Sequence, residues 1–90
     1  MRAFQLNDDK NRIYFRNYER IPAETELSNV IADLKKFKCK IGERQELATD
    51  DIFECSYEGR KFSIVFTGEE AFIYSDDYTV ITALMILFNK

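Results

Sequence analysis

Histidine is absent from this 90-residue chain. Its absence removes the commonest general base and the commonest metal ligand, and with them Ser-His and Cys-His nucleophilic pairs and most zinc chemistry. Cysteine is limited to Cys39 and Cys55, with no CxxC spacing. Cys55 falls on the inward face of a strand and acts there as a small core hydrophobe. Cys39 follows a helix and is expected near the surface, with no activating neighbours beyond Lys38 and Lys40. Both read as reduced thiols of an intracellular, cytoplasmic protein. Three glycines and one proline are too few for a linker-rich chain, and 46% apolar with 14% aromatic content argues against disorder. The longest apolar run, residues 83–88, falls far short of the roughly 20 residues a membrane span needs. The mixed polar segment after Met1 does not resemble a signal peptide. One domain over residues 1–90, with a single core of modest size, is expected.

Thirteen Lys and Arg face sixteen Asp and Glu, a net charge of −3. That balance disfavours sequence-independent nucleic-acid binding, whose affinity comes from cations meeting phosphates. It suits solubility, or a basic protein partner.

What the chain does contain is a meander. Residues 52–57, 62–67 and 71–75 are short runs rich in β-branched and aromatic residues, separated by turn formers. Glu58-Gly59 fits a two-residue hairpin loop. So does Gly68-Glu69, with glycine first as a type II′ turn prefers. These loops set Cys55 opposite Phe62, Phe53 opposite Ile64, Ile64 opposite Ile73 and Phe66 opposite Ala71. Alternation then gathers Phe53, Cys55, Phe62, Ile64, Phe66, Ala71 and Ile73 on one face. The other face carries Ile52, Glu54, Ser56, Ser63, Val65, Phe72 and Tyr74. Its apolar members, Ile52, Val65, Phe72 and Tyr74, lie across neighbouring strands. Either the N-terminal segment covers them or they form a partner or self-association surface.

Around the meander, residues 2–6 and 12–18 flank the turn-forming Asn7-Asp8-Asp9-Lys10-Asn11 cluster and read as a hairpin that extends the sheet or covers its second face. Tyr14, Tyr18 and Ile21 also fit helical spacing. A helix over about residues 22–38 opens at Pro22, carries Glu24 and Glu26 at its start and Lys35, Lys36 and Lys38 at its end. Its stripe is Leu27, Val30, Ile31, Leu34 and Phe37. Residues 42–49 form a polar edge strand joined to Ile52 through Asp50-Asp51. The last helix, about residues 76–90, starts on Asp76 or Asp77 as N-cap, and only Thr82 is polar from Val80 to Phe88. A helix so apolar is buried on more than one side or meets another protein. The expected architecture is α+β: an antiparallel sheet of four to six strands with two helices packed on its Phe62/Ile64/Phe66 face.

No catalytic, phosphate-cradling or metal motif stands out, and no cofactor is expected. Asp50, Asp51, Glu69 and Glu70 are expected at one end of the sheet. They lack the ordered spacing of a calcium loop and read as solvated turn carboxylates or an acidic docking rim. Arg60 and Lys61 approach Asp76 and Asp77 at the other end as surface ion pairs. The reading is a non-catalytic protein-binding module with Ile52, Val65, Phe72 and Tyr74 as apolar centre and the four carboxylates as rim. An inhibitor or immunity-type partner of a basic protein fits, as does a homodimeric adaptor associating through the C-terminal helix or the sheet face. Nucleic-acid binding through Arg12, Tyr14, Phe15, Arg16, Tyr18 and Arg20 is the weaker alternative.

Overall fold

A computed structural model describes residues 2–17 and 19–90. Tyr18, which belongs to the arginine-rich segment, lies outside them. The elements are β1 (Ala3–Phe4), β2 (Arg12–Phe15), α1 (Ala23–Lys36), β3 (Lys40–Glu46), β4 (Asp51–Tyr57), β5 (Arg60–Phe66), β6 (Ala71–Tyr74) and α2 (Tyr78–Phe88). The strands form one antiparallel sheet in the order β1-β2-β6-β5-β4-β3. The α+β class and the six strands agree with the sequence.

The meander has the register its turn residues impose. Cys55 pairs with Phe62, Phe53 with Ile64, Ile64 with Ile73 and Phe66 with Ala71. Gly68 takes φ +91° at the first loop position, as a type II′ turn demands. Glu58 and Gly59 both have positive φ, the geometry of a type I′ turn.

One core gathers the inward strand residues with Leu27, Val30 and Leu34 of α1 and Val80, Ile81, Leu84 and Phe88 of α2. Ile13, Leu34, Ile64, Ile73 and Leu84 are completely buried, each worth roughly 1.5–3 kcal/mol of transfer free energy. The Phe88 ring stands edge-on to Phe15 and Phe37, at 4.9 and 5.1 Å, where α2 meets β2 and the end of α1.

The helices are shorter than the sequence suggests, because their ends are closed by specific bonds. Pro22 is the residue before α1, and the helix ends in a Schellman motif. There Lys38 adopts φ +70°, its N–H donates to Leu34's neighbour Lys35 and the Cys39 N–H donates to the Leu34 carbonyl. This hook pulls Cys39 to 9% exposure, so the expected surface thiol is buried. Asp77 caps α2, its carboxylate accepting the Thr79 N–H at 2.9 Å.

Two further expectations are corrected. The edge strand runs over β3, two residues earlier than expected at its start. It turns into β4 at Ala48-Thr49, where the Leu47 N–H donates to the Asp50 carbonyl, and not through Asp50-Asp51. A register shift between Ile41 and Arg44 accommodates it. The N-terminal segment does form a hairpin, and of its two expected placements it takes the one that extends the sheet and not the one over the second face. Pairing of Arg12 with Tyr74 and Ile13 with Ile73 makes it extend the sheet beyond β6, because Ile13 and Phe15 alternate inward with the core. The hairpin's edge is held by Asn89, whose side chain accepts the Ala3 N–H and donates to the Ala3 carbonyl, both at 3.0 Å.

Candidate functional site

Extending the sheet leaves its second face open and makes it wider. Alternation puts Phe4 and Tyr14 of the hairpin on the same side as Phe72, and their rings touch in series: Phe4 to Tyr14 at 5.7 Å, Tyr14 to Phe72 at 5.6 Å. Phe72 pairs with Val65, Val65 with Ile52 and Ile52 with Gln45. A single row, Phe4-Tyr14-Phe72-Val65-Ile52-Gln45, therefore crosses all six strands. From Phe4 through Ile52 its members are only half-buried. Tilted aromatic contacts of this kind add about 0.5–1.5 kcal/mol each and hold the rings in fixed positions.

Parallel rows flank it. On one side Arg12, Tyr74, Ser63 and Glu54 pair in sequence from β2 to β4. The Arg12 guanidinium lies over the Phe72 and Tyr74 rings, 5.8 and 5.3 Å from their centroids, and bonds Asp9 at 2.7 Å. That bond holds the Asp9 carboxyl below its usual range. The Tyr74 hydroxyl donates to Asp76 at 2.6 Å, which raises the phenol's pKa. The Ser63 hydroxyl donates to Glu54 at 3.3 Å. On the other side of the central row the register continues as Arg16, Glu70, Thr67 and Asp50. Arg16 stacks over Phe4 at 4.6 Å. The face is thus bipolar: arginines stand on and just beyond β2, carboxylates on and beside β6 and β4, apolar groups between.

Of the residues singled out from the sequence, Ile52, Val65, Phe72 and Tyr74 come together on this open face. The acidic set divides. Asp50 and Glu70 lie at the end of the same face, and Glu69 occupies the loop between β5 and β6. Asp51 pairs with Phe66 on the core side, where Arg44 holds it at 2.7 Å. Arg44 also binds Glu24 of α1 at 2.9 Å and lies over the Phe66 ring at 5.2 Å. This bridge lowers the Glu24 pKa and fastens α1 to the edge of the sheet. Among the described residues no group of three or more His, Cys, Asp or Glu side chains is placed to hold a metal ion.

Phe4 and the role of Tyr14 escaped the sequence. Nothing local to β1 and β2 says which strand they join, although the alternation of Ile13 and Phe15 against Arg12, Tyr14 and Arg16 marks which side faces outward.

Away from the sheet, Tyr78, Thr82, Ala83 and Ile86 line an open strip on α2, with Tyr78 and Ile86 exposed by 59% and 62%. The buried thiols of Cys39 and Cys55 are both pushed up to about 11, mainly by burial. Among the described residues no helix is long and apolar enough to cross a membrane. Comparison of the chain with protein-family models, curated proteins and solved structures finds no match.

Proposed function

We propose that this protein is a non-catalytic protein-binding module that works by presenting the open face of its sheet. The observation that supports the reading is the uncovered row Phe4-Tyr14-Phe72-Val65-Ile52, framed by arginines and carboxylates. Aromatic and Arg side chains grouped at the centre of a surface are what protein interfaces enrich. Regular strands hold these side chains in position, so little ordering entropy opposes binding. The free, buried thiols support a reducing compartment, and the cytoplasm is the proposed location.

A second reading, a single-stranded nucleic-acid platform, draws on Arg12 and Arg16 lying over aromatic rings. Asp50, Glu54 and Glu70 on the same face would repel phosphates, and this weighs against it.

The test is retention on immobilised protein, comparing wild type with Phe72→Asp, after circular dichroism establishes that both are folded. Polypeptides, a soluble second copy of the chain included, that are held by wild type and released by the variant would support the reading. Identical retention by the two proteins would refute it, and retention of oligonucleotides at low salt would favour the second reading.

A further inference from the structure

We propose that the occupant of the open face is a second copy of this chain, packed sheet to sheet. This rests on the reading of the face as a binding surface and names its partner.

Charge pattern and symmetry carry the inference. Two sheets stacked face to face about a two-fold axis along the strands present their columns in reversed order. β2 of one copy then lies over β4 of the other, and β6 over β5. Under that reversal each row meets itself backwards. In the central row Tyr14 lies over Ile52 of the second copy and Phe72 over its Val65, so apolar groups meet at the centre, while Phe4 at the rim lies over Gln45. In one flanking row Arg12 comes over Glu54; in the other Arg16 comes over Asp50. Arg12 on β2 and Arg16 just beyond it are therefore each set against a carboxylate on or beside β4, twice per dimer. Among the described residues neither Arg16 nor Asp50 has an ion-pair partner within its own chain. The twist of the sheets turns the two sets of strands by about 30°, which offsets the outer contacts more than the central ones.

Other partners fit this face less well. A basic protein would meet Arg12 and Arg16, and a nucleic-acid strand would lie across Asp50, Glu54 and Glu70. A bipolar surface is matched by a partner with the reverse polarity, and this face supplies it to itself.

Area agrees with a reversible dimer. Six strands about 4.8 Å apart span roughly 25 Å, and strands rising about 3.3 Å per residue give a face roughly 18 Å deep. Two such faces bury about 900 Å² of projected area and somewhat more accessible surface, near the low end for specific complexes. Association should accordingly depend on concentration.

The experiment is a charge-swap cycle read by sedimentation velocity over a wide concentration series: wild type, Arg16→Glu, Asp50→Arg and the double variant. Phe72→Asp and the α2 variant Ile86→Asp accompany it. Wild type should dimerise. Each single reversal should weaken the dimer about tenfold or more, because each places like charges together at two symmetry-related points. The double variant restores opposite charges and should recover to within about threefold of wild type. Phe72→Asp should give a folded monomer and Ile86→Asp should leave the dimer intact. The proposal is overturned by a wild type that stays monomeric throughout, by single reversals without effect, by a double variant no better than either single, or by loss of the dimer on Ile86→Asp alone. A monomeric wild type would reject the second copy as occupant without touching the retention experiment, which tests the face against other proteins.

Discussion

Phe72 and Ile73 are neighbours in the chain on opposite faces of β6, and truncating each in turn tests the fold and the openness of the face together. Ile73 is completely buried between Ile13 of β2 and Ile64 of β5, at the centre of the sheet. Cutting it to alanine removes buried methyl and methylene groups and leaves a cavity in the core, which costs about 2–5 kcal/mol. Phe72 is half-buried. It loses ring contact with Tyr14, the Arg12 guanidinium over its ring and cross-strand contact with Val65, about 1–2 kcal/mol in all. For a domain of this size each kcal/mol moves the melting temperature by about 4–8 °C. Taking about 3 kcal/mol for Ile73→Ala gives a fall of roughly 12–24 °C, against roughly 4–16 °C for Phe72→Ala. The assay is thermal and urea unfolding by circular dichroism, at a concentration where the protein sediments as a monomer. Comparable losses for the two variants would mean that Phe72 is enclosed within the monomer, and the open face would have to be abandoned. Repeating the measurement at high concentration adds a check: if the face binds a second copy, wild type gains stability with concentration and Phe72→Ala does not.

Gly42→Ala should destabilise by about 1–3 kcal/mol in urea, since a Cβ there would sit 2.5 Å from the Glu54 carbonyl oxygen; a neutral result would mean that the strand edge is loose enough to move aside. Glu26→Leu should cost about 1–3 kcal/mol and speed hydrogen exchange at the Ala71 amide, whose N–H donates to the buried Glu26 carboxylate at 3.1 Å, while Glu26→Gln should retain most of the stability. An unchanged Ala71 exchange rate in Glu26→Leu would contradict the bond. Cys39 and Cys55 should react with a thiol reagent far more slowly in the native protein than in urea, and similar rates would show that they face water. The Glu24, Asp77 and Asp9 carboxyls are held below their ordinary values by Arg44, Arg60 and Arg12 respectively, so their contribution is complete above the ordinary values of 4.5 and 3.8 and is lost as pH falls through the lower folded values. With no histidine in the chain, urea midpoints should be level from about pH 5 to 8, fall in acid, and fall again in alkali where the thiols ionise more readily in the unfolded chain than in the core; a loss on acidification that begins above pH 5 would count against the carboxyl assignment.

The parts of the fold legible in the sequence are those fixed by contacts close in the chain. Glu58-Gly59 and Gly68-Glu69 set the register of β4, β5 and β6, and one face of that register collects Phe53, Cys55, Phe62, Ile64, Phe66, Ala71 and Ile73, a set that a one-residue slip would have broken. Asp77 announced its cap. The parts that were not legible depend on distant partners. Whether the β1–β2 hairpin lies over the sheet or beside it is decided by Ile13 meeting Ile73, sixty residues away. Glu26, read as a charge favouring a helix N-terminus, is taken into the interior by an amide of β6. Cys39 was expected outside because it follows a helix, but the Schellman hook turns it inward. For the face, the Ile52, Val65, Phe72 and Tyr74 cluster was readable, whereas its continuation through Tyr14 to Phe4 required the hairpin's place in the sheet.

Asn89 imitates a strand neighbour: with one side-chain amide it gives and takes the two bonds that a seventh strand would offer Ala3. The first strand and the last helix are thereby stitched into a near-ring. Neither is free to peel away on its own, because opening one end unties the other. The same closeness would let a short linker join Lys90 to Arg2, with new ends cut at the exposed Ala48-Thr49 turn. Such a permuted chain should fold to the same sheet, its order of synthesis changed and its neighbours kept.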